Sequence, residues 1–144
     1  MKQRIIPLMA ALCLLLAACG PKETDYGPPP DLTGKWGKPT EGANWYFTGT
    51  ITEDVIKVEW YQPVYNETYL YWEGTFTPPE DGREPYSWES STLHTVEELE
   101  SSRNFNRATR EQTKTFTYEN GKITFIVTAG HLRTAHSIER ADEE

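Results

Sequence analysis

Apolar and polar positions alternate along most of the chain after Asp31, a period of two that predicts half-buried antiparallel strands. In WYFTGTITEDVIKVEW, Trp45 to Trp60, a two-residue turn at Glu53-Asp54 sets Thr52 against Val55, Ile51 against Ile56, Gly49 against Val58 and Phe47 against Trp60. Directly paired residues share a face. Trp45, Phe47, Ile51, Ile56, Val58 and Trp60 therefore collect on one side, while Tyr46, Thr48, Lys57 and Glu59 point away. A one-residue slip would scatter that set, so the register is specified.

The second hairpin, TKTFTYENGKITFIV, runs from Thr113 to Val127. Asn120 and Gly121 both accept the positive φ of a type I′ turn. That turn pairs Glu119 with Lys122, Tyr118 with Ile123, Thr117 with Thr124 and Phe116 with Phe125. Between the hairpins, TYLYWEGTFT (Thr68 to Thr77) puts Leu70, Trp72, Gly74 and Phe76 on one side. A further strand is expected at Tyr86 to Ser90 after the turn-rich PPEDGREP, an opening one near Leu32–Lys38 and a last one at Leu132–Arg140. Thr95 with Glu98 three residues on makes a capping box, which predicts a short helix near 96–102.

About eight antiparallel strands on short turns predict an all-β fold: a small up-and-down barrel, lipocalin-like in shape, or a two-sheet sandwich. The barrel is the favoured of the two, because closure hides sheet edges.

The segment before Asp31 is of another kind. Lys2 and Arg4 precede an apolar run, Ile5 to Ala18, that is shorter than the roughly 20 residues needed to span a bilayer, which fits a signal peptide. Its ending, Leu16-Ala17-Ala18-Cys19, resembles the bacterial lipobox. That resemblance implies a diacylglyceryl-modified Cys19 as the mature N-terminus, hence an extracytoplasmic protein anchored on the outer face of the cell membrane. Two acyl chains give lasting attachment where one gives only marginal binding. The expected organisation is a signal peptide over 1–18, a lipidated cysteine and Pro-rich tether over 19–30, and one β-rich domain over 31–144. The tether, GPKETDYGPPP, favours extended polyproline II and reads as a stalk, with Tyr26 incidental.

Loss of the leader takes 14 basic residues to 12 against 22 acidic ones, and the formal charge from −8 to −10. Such a surface repels nucleic acid, which is excluded as a partner. Cys13 leaves with the leader, so disulfides, thiol nucleophiles and Cys-based metal sites are excluded as well.

No catalytic constellation emerges, and no cofactor or metal is expected. His131 and His136 lie five apart on a strand, on opposite faces, and read with His94 as polar surface side chains. The carboxylates sit in predicted turns or on a polar helix rather than across an apolar cleft. Two features could serve binding. One is the set of tyrosines directed outward: Tyr46, Tyr61, Tyr65, Tyr69 and Tyr71. The other is the spacing of Arg103, Arg107 and Arg110, a basic stripe if helical, balanced by Glu100 and Glu111.

Gly34-x-Trp36 resembles the first motif of lipocalins and avidin-type barrels, and TFIVTAG (Thr124 to Gly130) resembles a streptavidin segment, but the order of motifs differs from both families. A wider resemblance covers most of Asp31 to Val127. LTGKW, TITEDVI, LYWEGTF, EPYSW and TKTFTYENGKI, in that order, resemble small lipoproteins of actinobacteria and related Gram-positive bacteria, some encoded by phages and prophages. The resemblance implies location and fold. It also suggests a membrane-anchored protein acting by binding, such as a superinfection-exclusion protein that meets a phage or host envelope partner. The alternative is a surface binding module for a small ligand or cell-wall fragment. An extracytoplasmic hydrolase trails both.

Overall fold

The computed structural model describes residues 22–101 and 108–141. Strands β1 (Gly34–Trp36), β2 (Tyr46–Ile51), β3 (Val55–Gln62) and β4 (Glu67–Thr75) form one antiparallel sheet in that order. Strands β5 (Tyr86–Ser91), β6 (Thr113–Glu119), β7 (Lys122–Ala129) and β8 (Leu132–Glu139) form the second. A single short helix among the described residues, α1 (Val96–Ser101), lies between them. Its capping box is made: the Glu98 backbone N–H donates to Thr95 Oγ1 at 3.2 Å, and Glu98 Oε2 accepts from the Thr95 backbone N–H at 2.7 Å. None of the described helices is long and apolar enough to cross a membrane.

Both hairpins form in the registers that their turns dictate. Phe47 faces Trp60, Gly49 faces Val58 and Ile51 faces Ile56, with Thr52 N–H donating to Val55 O at 2.9 Å across the turn. In the second, Asn120 (φ 52°) and Gly121 (φ 77°) both take the left-handed conformation of a type I′ turn. Phe116 then faces Phe125 and Tyr118 faces Ile123.

Two expectations are corrected. The fold is the two-sheet sandwich, one of the two architectures expected, and only the preference for a closed barrel is overturned: the sheets touch at two corners, each through one isolated bridge, Trp36 with Arg140 and Gly74 with Thr92. A continuous barrel needs ladder pairing along both seams. Here the first seam adds only Gly37 N–H to Glu139 O at 2.6 Å and Ala141 N–H to Lys35 O at 3.0 Å.

The second correction concerns β4. Val58 pairs with Trp72 but Glu59 pairs with Leu70, so Tyr71 is the extra residue of a β-bulge. The alternation reverses there. Leu70, expected inward, lies opposite Glu59, while Tyr69 pairs with the inward Trp60 and Tyr71 is buried at 4% exposure.

The space between the sheets is filled by rings in continuous contact. Trp45 meets Phe47 at 5.6 Å between centroids, Phe47 meets Phe125 at 5.2 Å, and Phe125 meets Phe116 at 5.5 Å. Phe116 stacks on Trp88 at 5.4 Å, and Trp88 on Tyr86 at 5.7 Å. Each such pair adds about 0.5–1.5 kcal/mol beyond its area burial. Ile51, Ile56, Val58, Ile123 and Ile138 pack around this spine.

The segment before β1, expected as a tether, contacts the sandwich as well. Gly82 N–H donates to Gly27 O at 3.0 Å, and the Arg83 guanidinium lies 4.5 Å over the ring of Tyr26. Tyr26, read as incidental in the sequence, docks this segment on the loop before β5.

Candidate functional site

A depression of about 450 Å³ runs along the corner where β1 meets β8. Its first wall is the loop after β1. Gly37 (φ 87°) turns the chain there, a Cβ at that position would meet Phe47 O at 2.5 Å, and Pro39 has no N–H to continue the ladder. Ala43 N–H closes the loop on Thr40 O at 3.0 Å. The opposite wall is β8, with Ser137 and Glu139, and the floor is Phe47, His136 and Ile138.

Trp45 stands at the edge of this groove. The sequence placed it inward with Phe47; it precedes β2 and remains 39% exposed. Its indole is held by three rings: Trp60 at 5.0 Å, Phe47 at 5.6 Å and His136 at 5.6 Å. His136, read in the sequence as a surface polar group, is half-buried against Phe47 and Phe125. Desolvation holds its pKa below the ordinary imidazole value, so the ring is neutral at neutral pH. Glu139 ion-pairs with Lys122 at 2.8 Å, and the hydrogen bond and charge of Lys122 keep its carboxyl below the usual range.

The five tyrosines do not form one surface. Tyr46 and Tyr61 pair on the outer side, centroids 5.2 Å apart, with Tyr61 OH donating to Asn66 Oδ1 at 2.9 Å. Tyr46 also lines the groove, and desolvation followed by Tyr61 raises its pKa. Tyr65 is 69% exposed on the β3–β4 turn beside Val64 at 70%. Tyr69 donates to Glu67, and the bulge takes Tyr71 into the core, out of any recognition surface. Arg103, Arg107 and Cys19 lie outside the described residues. Arg110 faces Glu100 at 3.5 Å, one of the two acidic partners expected for the basic stripe.

A second polar cluster was not anticipated. Lys114 on β6 is only 5% exposed; it pairs with Glu111 and donates to Ile126 O at 2.9 Å, with the rings of Tyr71 and Trp72 5.3 and 5.7 Å from its ammonium. Burial pushes the Glu111 carboxyl up, but hydrogen bonds from Lys114, Thr109 and Thr128 and the Lys114 charge bring it below the ordinary value. Burial and the nearby Glu111 charge raise the Tyr71 phenol far enough to keep it protonated. Every charge here is neutralised and hydrogen-bonded, which makes the cluster a staple between the chain entering β6 and β7 rather than an open reactive centre. The available signal was Lys114 standing in phase with the inward Phe116.

Comparison with known families, curated proteins and solved structures yields no match to this chain. No group of three His, Cys, Asp or Glu side chains among the described residues could hold a metal ion. A smaller hollow of about 260 Å³ beneath the loop before β5 is bordered by Glu80, Asp81 and Arg83. Asp81 and Arg83 pair across it at 3.4 Å, leaving a solvated turn.

Proposed function

We propose that the chain is a bacterial surface lipoprotein, anchored on the outer face of the membrane through Cys19, that acts by binding a small ligand or cell-wall fragment in the groove beside Trp45. The observation that carries the reading is the indole of Trp45, partly exposed on a roughly 450 Å³ groove and fixed by three neighbouring rings. That volume falls in the range of small-molecule sites, and a platform already locked in place costs little ordering on binding. The filled interior supports a surface site over an enclosed one: the aromatic spine occupies the space where a carrier barrel would hold cargo.

Two measurements test it. Membrane fractionation of cells expressing wild type and Cys19→Ser should find the first with the membrane and the second released; equal release of both removes the anchor. Tryptophan emission of the purified chain should respond saturably to a soluble cell-wall digest, and Trp45→Ala should abolish that response. A response unaltered in Trp45→Ala moves binding away from the groove.

A protein partner, as in exclusion of a superinfecting phage, is favoured by one different feature, the exposed Val64-Tyr65 pair on the β3–β4 turn. Under that reading, Val64→Ser with Tyr65→Ser removes protection of expressing cells from phage. Undiminished protection by the double variant sets it aside.

A further inference from the structure

The groove's own chemistry narrows the class of ligand, resting on the small-ligand reading above. Its lining combines the exposed Trp45 indole and the half-buried rings of Tyr46 and His136 with a hydroxyl at Ser137 and a carboxylate at Glu139. Charges of both signs border it, because Glu139 is paired with Lys122 and also feels the Lys38 ammonium. The site therefore offers no net field to select an anion or a cation. The indole is the most exposed ring on the groove: Tyr46, which also lines it, is half-buried and packs on Tyr61, and Phe47 is buried. The depression lies along the outer corner of the sandwich and not between the sheets, so it gives no enclosed apolar volume to an acyl chain.

One ligand chemistry fits a single indole face rimmed by hydroxyl, imidazole and a neutralised carboxylate. A pyranose presents a face of C–H groups to an aromatic ring and a belt of hydroxyls at its edge that both donate and accept. A neutral imidazole serves such hydroxyls as donor at one nitrogen and acceptor at the other. We infer that the groove binds a short neutral oligosaccharide, one sugar ring stacked on Trp45 beside His136 and a neighbouring ring reaching Ser137 and Glu139 on the other side of β8.

The test is calorimetric titration of the purified full chain in detergent micelles with four probes: chitotriose, cellotriose, adenosine monophosphate and octanoate. The expected result is saturable binding of at least one trisaccharide, weakened about tenfold in Trp45→Ala and partly retained in Trp45→Phe. Tyr26→Ala, in the docked segment before β1, should bind as wild type does. Near-UV circular dichroism of each variant reports whether the core is intact, and Trp45→Phe preserves the ring packing should the alanine variant fail to fold. Binding of adenosine monophosphate or octanoate that depends on Trp45, with neither trisaccharide bound, overturns the saccharide class and leaves the groove a ligand site. Saccharide binding undiminished in both Trp45 variants overturns the assignment to this groove. No binding by any probe overturns the saccharide inference, while a Trp45-dependent response to the wall digest would still uphold the broader reading.

Discussion

The two corners where the sheets meet are fastened by opposite means. At the β1–β8 corner a long side chain spans the join: Arg140 lays its guanidinium 4.8 Å over the Trp36 ring and donates through Nη1 to Thr33 O at 2.7 Å and through Nη2 to Asp31 O. Trp36 in turn donates its indole N–H to Leu32 O at 2.9 Å. At the β4–β5 corner the fastening depends on the lack of a side chain. A Cβ on Gly74 would lie 2.6 Å from Ser91 O and from Trp72 Nε1, with Ser90 Oγ closer still. In that space Trp72 donates to Ser90 Oγ at 2.9 Å, and Leu93 N–H reaches Glu73 O at 3.0 Å. A corner held by a flexible cation can relax when altered, whereas one held by close backbone approach has nowhere to go.

The largest effect should therefore come from the smallest substitution. Gly74→Ala is expected to cost about 2–3 kcal/mol, because backbone and a buried indole must move to admit one methyl group. Urea unfolding would measure it; a loss within error of zero would mean that the corner opens freely. Arg140→Gln should cost about 1 kcal/mol, through one cation–π contact and the hydrogen bonds to Thr33 and Asp31. The same unfolding assay ranks the two corners, and an Arg140 effect above that of Gly74 would reverse the comparison.

The smallest predicted effect concerns pH. The folded pKa of His136 lies below its ordinary value of 6.5, so the unfolded chain binds the proton more readily. Its contribution to stability is complete above that value and is lost as pH falls through the lowered folded pKa. Glu111 and Glu139, also lowered, act in the same direction but only below the carboxylate value of 4.5. Melting temperatures should thus fall between pH 7 and pH 5 in wild type and fall less in His136→Gln. An equal decline in both would exclude His136 as the source.

Both hairpins were legible because turn chemistry and paired apolar rows agreed. Asn120-Gly121 permits one turn type, and only one register brings Phe116 opposite Phe125. The bulge was not legible, since TYLYWEGTF alternates plausibly in either phase: Leu70 with Trp72, or Tyr69 with Tyr71. The choice is made by the partner strand, where Trp60 and Val58 both face inward but meet residues three apart on β4. Closure depended on the corners, which no local pattern encodes. The groove likewise required Trp45 and His136, distant in sequence, to meet across the β1–β8 join. Lys114 was visible as a lysine in an apolar row; its partner Glu111, three residues upstream, was read instead as a counter-charge to the arginine stripe.

The unbroken file of rings has an optical consequence. Trp45 and Trp60 lie 5.0 Å apart at 57°, close enough for their near-degenerate indole transitions to couple. Circular dichroism should show an exciton couplet from the indole pair. Emission should come from the few lowest-energy indoles, not from five independent ones. Light absorbed deep between the sheets will be drained toward Trp45 or diverted from it as that ring changes its surroundings, making the core an antenna for whatever reaches the surface.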